Sequence, residues 1–124
     1  MRTRVRLALL LVLVLPVGLV ACSKPPDVDP NSIDVSGVKT LTFDQCVELT
    51  EARAQLLNAP DAAAAQAAAD TLRRLSPPPG VGDAIAIQEA AAGRVSELGS
   101  ERGQRADAAV TRWVAKACPM VAPS

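Results

Sequence analysis

The groups with chemistry to offer are three thiols (Cys22, Cys46 and Cys118), 13 carboxylates and one indole, Trp113, in a chain of 124 residues without histidine. Without imidazole there is no Ser-His or Cys-His pair to activate a nucleophile and no imidazole metal ligand. Two carboxylates flanking a bond can hydrolyse a glycoside. Here, however, Glu48, Glu51, Asp70, Asp83, Glu89, Glu97 and Glu101 fall on the solvent faces of the helices expected below. Gly80-Val81-Gly82 follows three prolines and lacks the Lys-Ser/Thr of a phosphate loop. These residues predict no enzyme, no cofactor and no metal. Arg73-Arg74 and Arg102/Arg105 offer either a grip on an anionic envelope polymer or a solvated face, and the solvated face is expected. Trp113 is an interface-type residue and a candidate partner contact; its helical spacing with Val110 and Ala117 favours a core role. Pro77-Pro78-Pro79 is expected to be a rigid corner between helices rather than a recognition element.

The N-terminus says where the chain goes. Arg2, Arg4 and Arg6 precede an apolar run over residues 7–20, broken only by Pro16 and Gly18. As a helix that run is roughly 21 Å long, short for a permanent span, and it reads as a secretory signal. It ends in Leu19-Val20-Ala21-Cys22, which resembles the lipobox of bacterial lipoproteins at all four positions. The resemblance implies a diacylglyceryl group on the Cys22 thiol and cleavage between Ala21 and Cys22, with Cys22 the mature N-terminus. Acyl chains bind membranes at about 0.8 kcal/mol per buried methylene, and two chains hold stably where one does not. The chain is therefore expected outside the cytoplasm, attached by lipid to the outer face of the cell membrane. In a host with two membranes, either periplasmic leaflet would serve. Ser23, following the cysteine, leaves outer-membrane sorting open.

Removing residues 1–21 leaves 103 residues, a single domain at most, and takes away three of the 13 basic side chains and none of the 13 acidic ones. The remainder is slightly acidic, which favours neither nucleic acid nor a polybasic grip on anionic lipid. With one Phe, one Trp and no Tyr, the core must be built from Ala, Leu, Val and Ile, and domains this small usually need a staple. With Cys22 lipidated, Cys46 and Cys118 remain as a pair in an oxidising compartment, where a disulfide is expected. Two free thiols are the alternative; the absence of histidine and of CxxC spacing makes a metal or redox pair the weaker reading.

Around these cysteines the periodicity is helical. Residues 22–40 are rich in Pro, Asp and Ser and read as the lipidated cysteine followed by a flexible tether, up to about 60 Å long if extended. The alternative for Ile33, Val35 and Val38 is brief pairing as an arm on the domain, without a strand. A first helix is predicted over 43–57, with Thr42 as N-cap, Gln45 completing a capping box, and Phe43, Cys46, Val47, Thr50, Ala54 and Leu57 on the apolar face, widened by Leu49 and Leu56. A second runs over 60–75, alanine-rich and anchored by Leu72 and Leu75, with Arg73 and Arg74 suited to its last turn. A third runs from 81 or 83 to 98, with Val81, Ile85, Ala92 and Val95 on one stripe, flanked by Ala84, Ile87, Ala91 and Leu98, and weakened at Gly93. Gly99-Ser100 marks a break, and a fourth helix over 101–117 carries Ala106, Val110, Trp113, Val114 and Ala117.

Parity ties the count to the disulfide. Cys46 opens the first helix and Cys118 follows the last, so an even number of alternating helices brings them to one pole. A single helix across 99–100 would put them at opposite poles, beyond the roughly 7 Å that a bridge allows between Cα atoms. The expected fold is thus an all-α, up-down bundle of four helices, or three if the last two are continuous, spanning 41–119 with a tail at 120–124. The Pro-Pro-Pro-Gly-Val corner and the closing Trp113…Cys118-Pro119 are similar to small envelope lipoproteins of high-GC actinobacteria, a likeness that carries over no site residue. The expected function is a non-enzymatic interaction module for an envelope protein or wall polymer; the alternative is a small carrier or sensor of an apolar ligand held between helices.

Overall fold

A computed structural model describes residues 26–120. The lipobox, with Ala21 and Cys22, and the signal segment lie outside the described residues. Five helices follow one another: α1 (Phe43–Leu57), α2 (Ala62–Arg74), α3 (Val81–Ala90), the single turn α4 (Val95–Leu98) and α5 (Glu101–Ala117). There is no strand among the described residues. The architecture is a small helical bundle: α1 packs chiefly on α2, α3 on α5, and α2 joins the two pairs through α3.

Local chemistry sets the boundaries. Thr42 Oγ1 accepts from the Gln45 N–H at 3.2 Å while Gln45 Oε1 accepts from the Thr42 N–H at 3.0 Å. This reciprocal capping box starts α1 at the predicted residue. Asp61 caps α2, accepting from the Ala64 N–H at 2.8 Å, so the helix begins at Ala62, two residues later than the expected start at Pro60. Ser100 caps α5, accepting from the Gly103 N–H at 3.1 Å. The triple proline forms the expected corner, and Gly80, at φ 53°, hands the chain into α3.

Cys46 and Cys118 are joined, with Cα atoms 5.8 Å apart. The bridge ties the start of α1 to the end of α5, as parity requires. Arg53 Nη2 makes a second tie between these helices, donating to Asp107 Oδ1 at 2.8 Å and Thr111 Oγ1 at 2.7 Å.

Three expectations are corrected. The third helix does not reach residue 98. It ends at Ala90, and Gly93 takes φ 71°, a left-handed conformation that turns the chain before α4. Val95, placed by periodicity on the buried stripe, is consequently 80% exposed. The buried face of α1 is Cys46, Leu49, Ala52 and Leu56 rather than the stripe through Phe43, Val47, Thr50 and Ala54, all of which are exposed. Both faces carry apolar residues, and the α1–α2 packing selects the one with the two leucines.

The third correction concerns the tether. Residues 27–41 lie on the domain as an arm. Asp29 caps a short 3-10 helix, Pro30–Ser32, Val28 and Ile33 are buried in the core, and Val35, Val38 and Leu41 pack beside them. The Leu41 N–H donates to the Ala117 carbonyl at 2.8 Å, Arg112 donates to the Pro30 carbonyl, and Arg105 pairs with Asp27. The residues considered as an arm do dock, without a strand. Five apolar side chains along the segment offset the entropy of ordering it.

The Asp27–Arg105 pair gives the arm a pH dependence. The hydrogen bond from Arg105 holds the Asp27 carboxyl below its ordinary value of 3.8; slight desolvation opposes this, and the Val28 N–H and the charges of Arg105 and Arg102 reinforce it. Because the folded value lies below the unfolded one, the contribution is complete above about pH 4 and fades as pH falls through the folded value. The protection factor of the Val28 amide is therefore expected to fall below about pH 4, and in Arg105→Gln at neutral pH, while α5 keeps its protection. Equal loss of protection in arm and core would show that Asp27 does not govern docking.

Candidate functional site

The structure gives the sequence's candidate residues distinct fates. Trp113 is 1% exposed and sits in the core with Val110, Val114 and Ala117. As a partner contact it is corrected: burial leaves no ring surface for a partner, and the core reading holds. Glu48, Glu51, Asp70, Asp83, Glu97 and Glu101 are exposed, and Glu89 is half-buried. Among the described residues no group of three Cys, Asp or Glu side chains is arranged to hold a metal ion.

Three of the four candidate arginines, Arg73, Arg74 and Arg105, are engaged with acids. Arg73 pairs with Glu89 at 3.2 Å and Asp70 at 3.3 Å, and the Glu89 hydrogen bond holds its guanidinium above its ordinary value. Arg74 lies 4.0 Å from Glu48, and Arg105 pairs with Asp27 and with Glu101 at 2.6 Å. These partners offset the positive charge that an anionic polymer would need. The alanines of α2 available to line an apolar cavity, Ala65, Ala68 and Ala69, are themselves buried in the core.

Several recesses and one helix face remain, and two of the recesses bear on function. The larger recess, about 600 Å³, is a groove between the arm and the proline corner, floored by Val28, Ile33 and Pro79 and rimmed by Asp27, Asp29, Asp34 and Asp83. Three of these acids serve the chain's own conformation. Asp27 pairs with Arg105, Asp29 caps the 3-10 helix, and Asp34 accepts from the Ser36 hydroxyl and N–H, which lowers its carboxyl below its ordinary value.

The smaller recess, about 280 Å³, opens where α1, α3 and α5 meet and is lined by Leu57, Gln88, Leu98, Gly103, Gln104 and Asp107. Gln88 is 1% exposed, and neither its Nε2 nor its Oε1 has a hydrogen-bond partner. Sequence reasoning missed this residue. The signal was available: Gln88 lies four residues after Ala84 and three after Ile85, on the apolar stripe of α3. A buried amide without partners costs about 1–3 kcal/mol. Gln88→Met, which keeps the length and removes the polar atoms, is expected to raise stability by about that amount. Urea denaturation measures it, and a loss of stability would show that Gln88 is already satisfied.

The remaining feature is the outer face of α1. Phe43 is 62% exposed and Val47 40%, and Thr50 and Ala54 continue the same stripe in solvent. No helix among the described residues is long and apolar enough to cross a membrane.

Together these features define a class: a small all-α bundle closed by one disulfide, with a docked N-terminal arm and an apolar stripe left on α1. Compared with protein-family models, curated proteins and solved structures, the chain matches none.

Proposed function

We propose that this protein is a lipid-anchored, non-enzymatic interaction module of the bacterial cell envelope. It is exported, cut before Cys22, held at the membrane by lipid on that cysteine, and presents α1 to a protein partner. The lipobox pattern supports the anchor, and the Cys46–Cys118 disulfide fits an oxidising compartment.

The observation that carries the partner reading is the outer face of α1. Phe43 and Val47, four residues apart on one side of the helix, leave apolar surface in water beside Thr50 and Ala54. Helical anchors at this spacing suit a groove or a second helix on a partner. A fully solvated helix would carry charge there. The carboxylates that do gather, around the groove beside the proline corner, are largely engaged by the chain itself: Asp27 by Arg105, Asp29 by the 3-10 helix and Asp34 by Ser36.

Two measurements test the two halves. Intact mass of the protein from native membranes should show loss of residues 1–21 with added diacylglyceryl mass; an unlipidated chain would remove the anchor. Photo-crosslinking in cells from position 43 or 47 should give a discrete adduct absent from position 66 on the exposed side of α2. Equal adducts from all three positions, or none, would remove α1 as the partner face.

A further inference from the structure

We propose that the recess between α1, α3 and α5 is a binding site for a small primary carboxamide or lactam, recognised by Gln88 and covered by α4. The site is independent of the anchor and of the outer face of α1.

Gln88 is the polar residue of the recess that the chain leaves unsatisfied. It is 1% exposed, it lines the recess, and both of its amide atoms lack partners. Buried polar groups in folded proteins are nearly always hydrogen-bonded, to protein, ordered water or ligand, so an amide with no partner within the chain calls for one from outside it. A carboxamide offers two N–H donors and one carbonyl acceptor side by side. The compact group that satisfies a donor and the acceptor together carries N–H and C=O on the same side, as a primary amide or a lactam does. A trans secondary amide reaches only one of them.

The walls narrow the class further. Leu57 and Leu98 are apolar and favour a ligand with a hydrocarbon flank. Asp107, at the mouth, is held by Arg53 at 2.8 Å, so the opening carries no uncompensated negative charge to select a cation.

The cover is α4. It is one turn long, buries none of its residues, and lies between Gly93 and Gly99. It rests on α5 because Gly103 has no side chain: a Cβ there would meet the Leu98 and Glu97 carbonyl oxygens at 2.3 Å and 2.4 Å. A further recess of about 150 Å³, lined by Ile87, Ala91, Arg94 and Gly103 among others, flanks the same turn. α4 therefore sits between two hollows, held mainly through its backbone. Movement of Leu98 with α4 would open the way to Gln88.

The test uses 15N-labelled full-length protein in detergent micelles and two probes of the same shape. 2-Pyrrolidinone carries the adjacent N–H and C=O; cyclopentanone carries only the C=O. Pyrrolidinone is expected to bind saturably, at least tenfold more tightly than cyclopentanone. The shifts should concentrate in the Gln88 side-chain NH2 and the amides of residues 98–104. Gln88→Met should keep the folded spectrum and lose the preference. Equal response to both probes, an unchanged preference in Gln88→Met, or a water held at Gln88 that pyrrolidinone does not displace would each overturn the proposal.

Discussion

Replacing Cys46 and Cys118 together with alanine is expected to cost about 4 kcal/mol, because the bridge closes a loop of sequence separation 72 in an otherwise unconstrained unfolded chain. For a domain of this size that corresponds to a drop in melting temperature of roughly 20 °C or more. The structure concentrates the effect: the bridge fastens the start of α1 to the end of α5, and the Leu41–Ala117 hydrogen bond that seats the arm lies beside it. Thermal unfolding followed by circular dichroism, wild type against the double variant, measures the loss. The arm should loosen with the bundle, so amide exchange at Leu41 should rise in the variant. A loss under about 1 kcal/mol would mean that the unfolded chain is already compact enough for the crosslink to add little.

Trp113→Ala should be comparably severe, at about 3–5 kcal/mol. The sequence holds two large aromatics, Phe43 and Trp113, and Phe43 is exposed. The indole is therefore the one aromatic side chain buried among the described residues, in a core rich in alanine that includes Ala106, Ala109 and Ala117. Alanine side chains have no rotamers with which to relax into a vacated space, so the cavity should persist and the cost should lie high in that range. Urea denaturation read by circular dichroism gives the number, since the substitution also removes the only indole fluorophore. A loss near 1 kcal/mol would show that the arm or α2 collapses into the gap.

The parts of this fold legible in the sequence are those governed by local chemistry. Thr42 with Gln45, and Ser100 before Glu101, fix helix starts through hydrogen bonds that span three residues, and the observed α1 and α5 begin and end where periodicity places them. The disulfide followed from an equally simple count, two cysteines left as a pair in an exported chain, and the parity of alternating helices agreed with it. What escaped depends on contacts distant in sequence. The arm docks through single apolar side chains that meet α5 and the Gly80 corner, and these residues show no period. The rotation of α1 was ambiguous because Phe43 and Val47 are as apolar as Leu49 and Leu56. Gly93 marked a weak point in the third helix, but ending that helix required the approach of Gly93 to the Pro60 carbonyl, where a Cβ would come within 3.2 Å. Gln88 was readable as a polar residue on an apolar stripe; its missing partners were not, because they are a property of α5 and α4.

The arm also fixes a height. A free segment of 18 residues would let the domain range up to about 60 Å from the bilayer, sampling many orientations. With Asp27 fastened to α5, only five residue steps separate it from Cys22, a reach of at most about 17 Å. On the proposed anchor, the bundle stands close to the lipid headgroups like a short post, and a partner would have to come to the membrane surface to meet it.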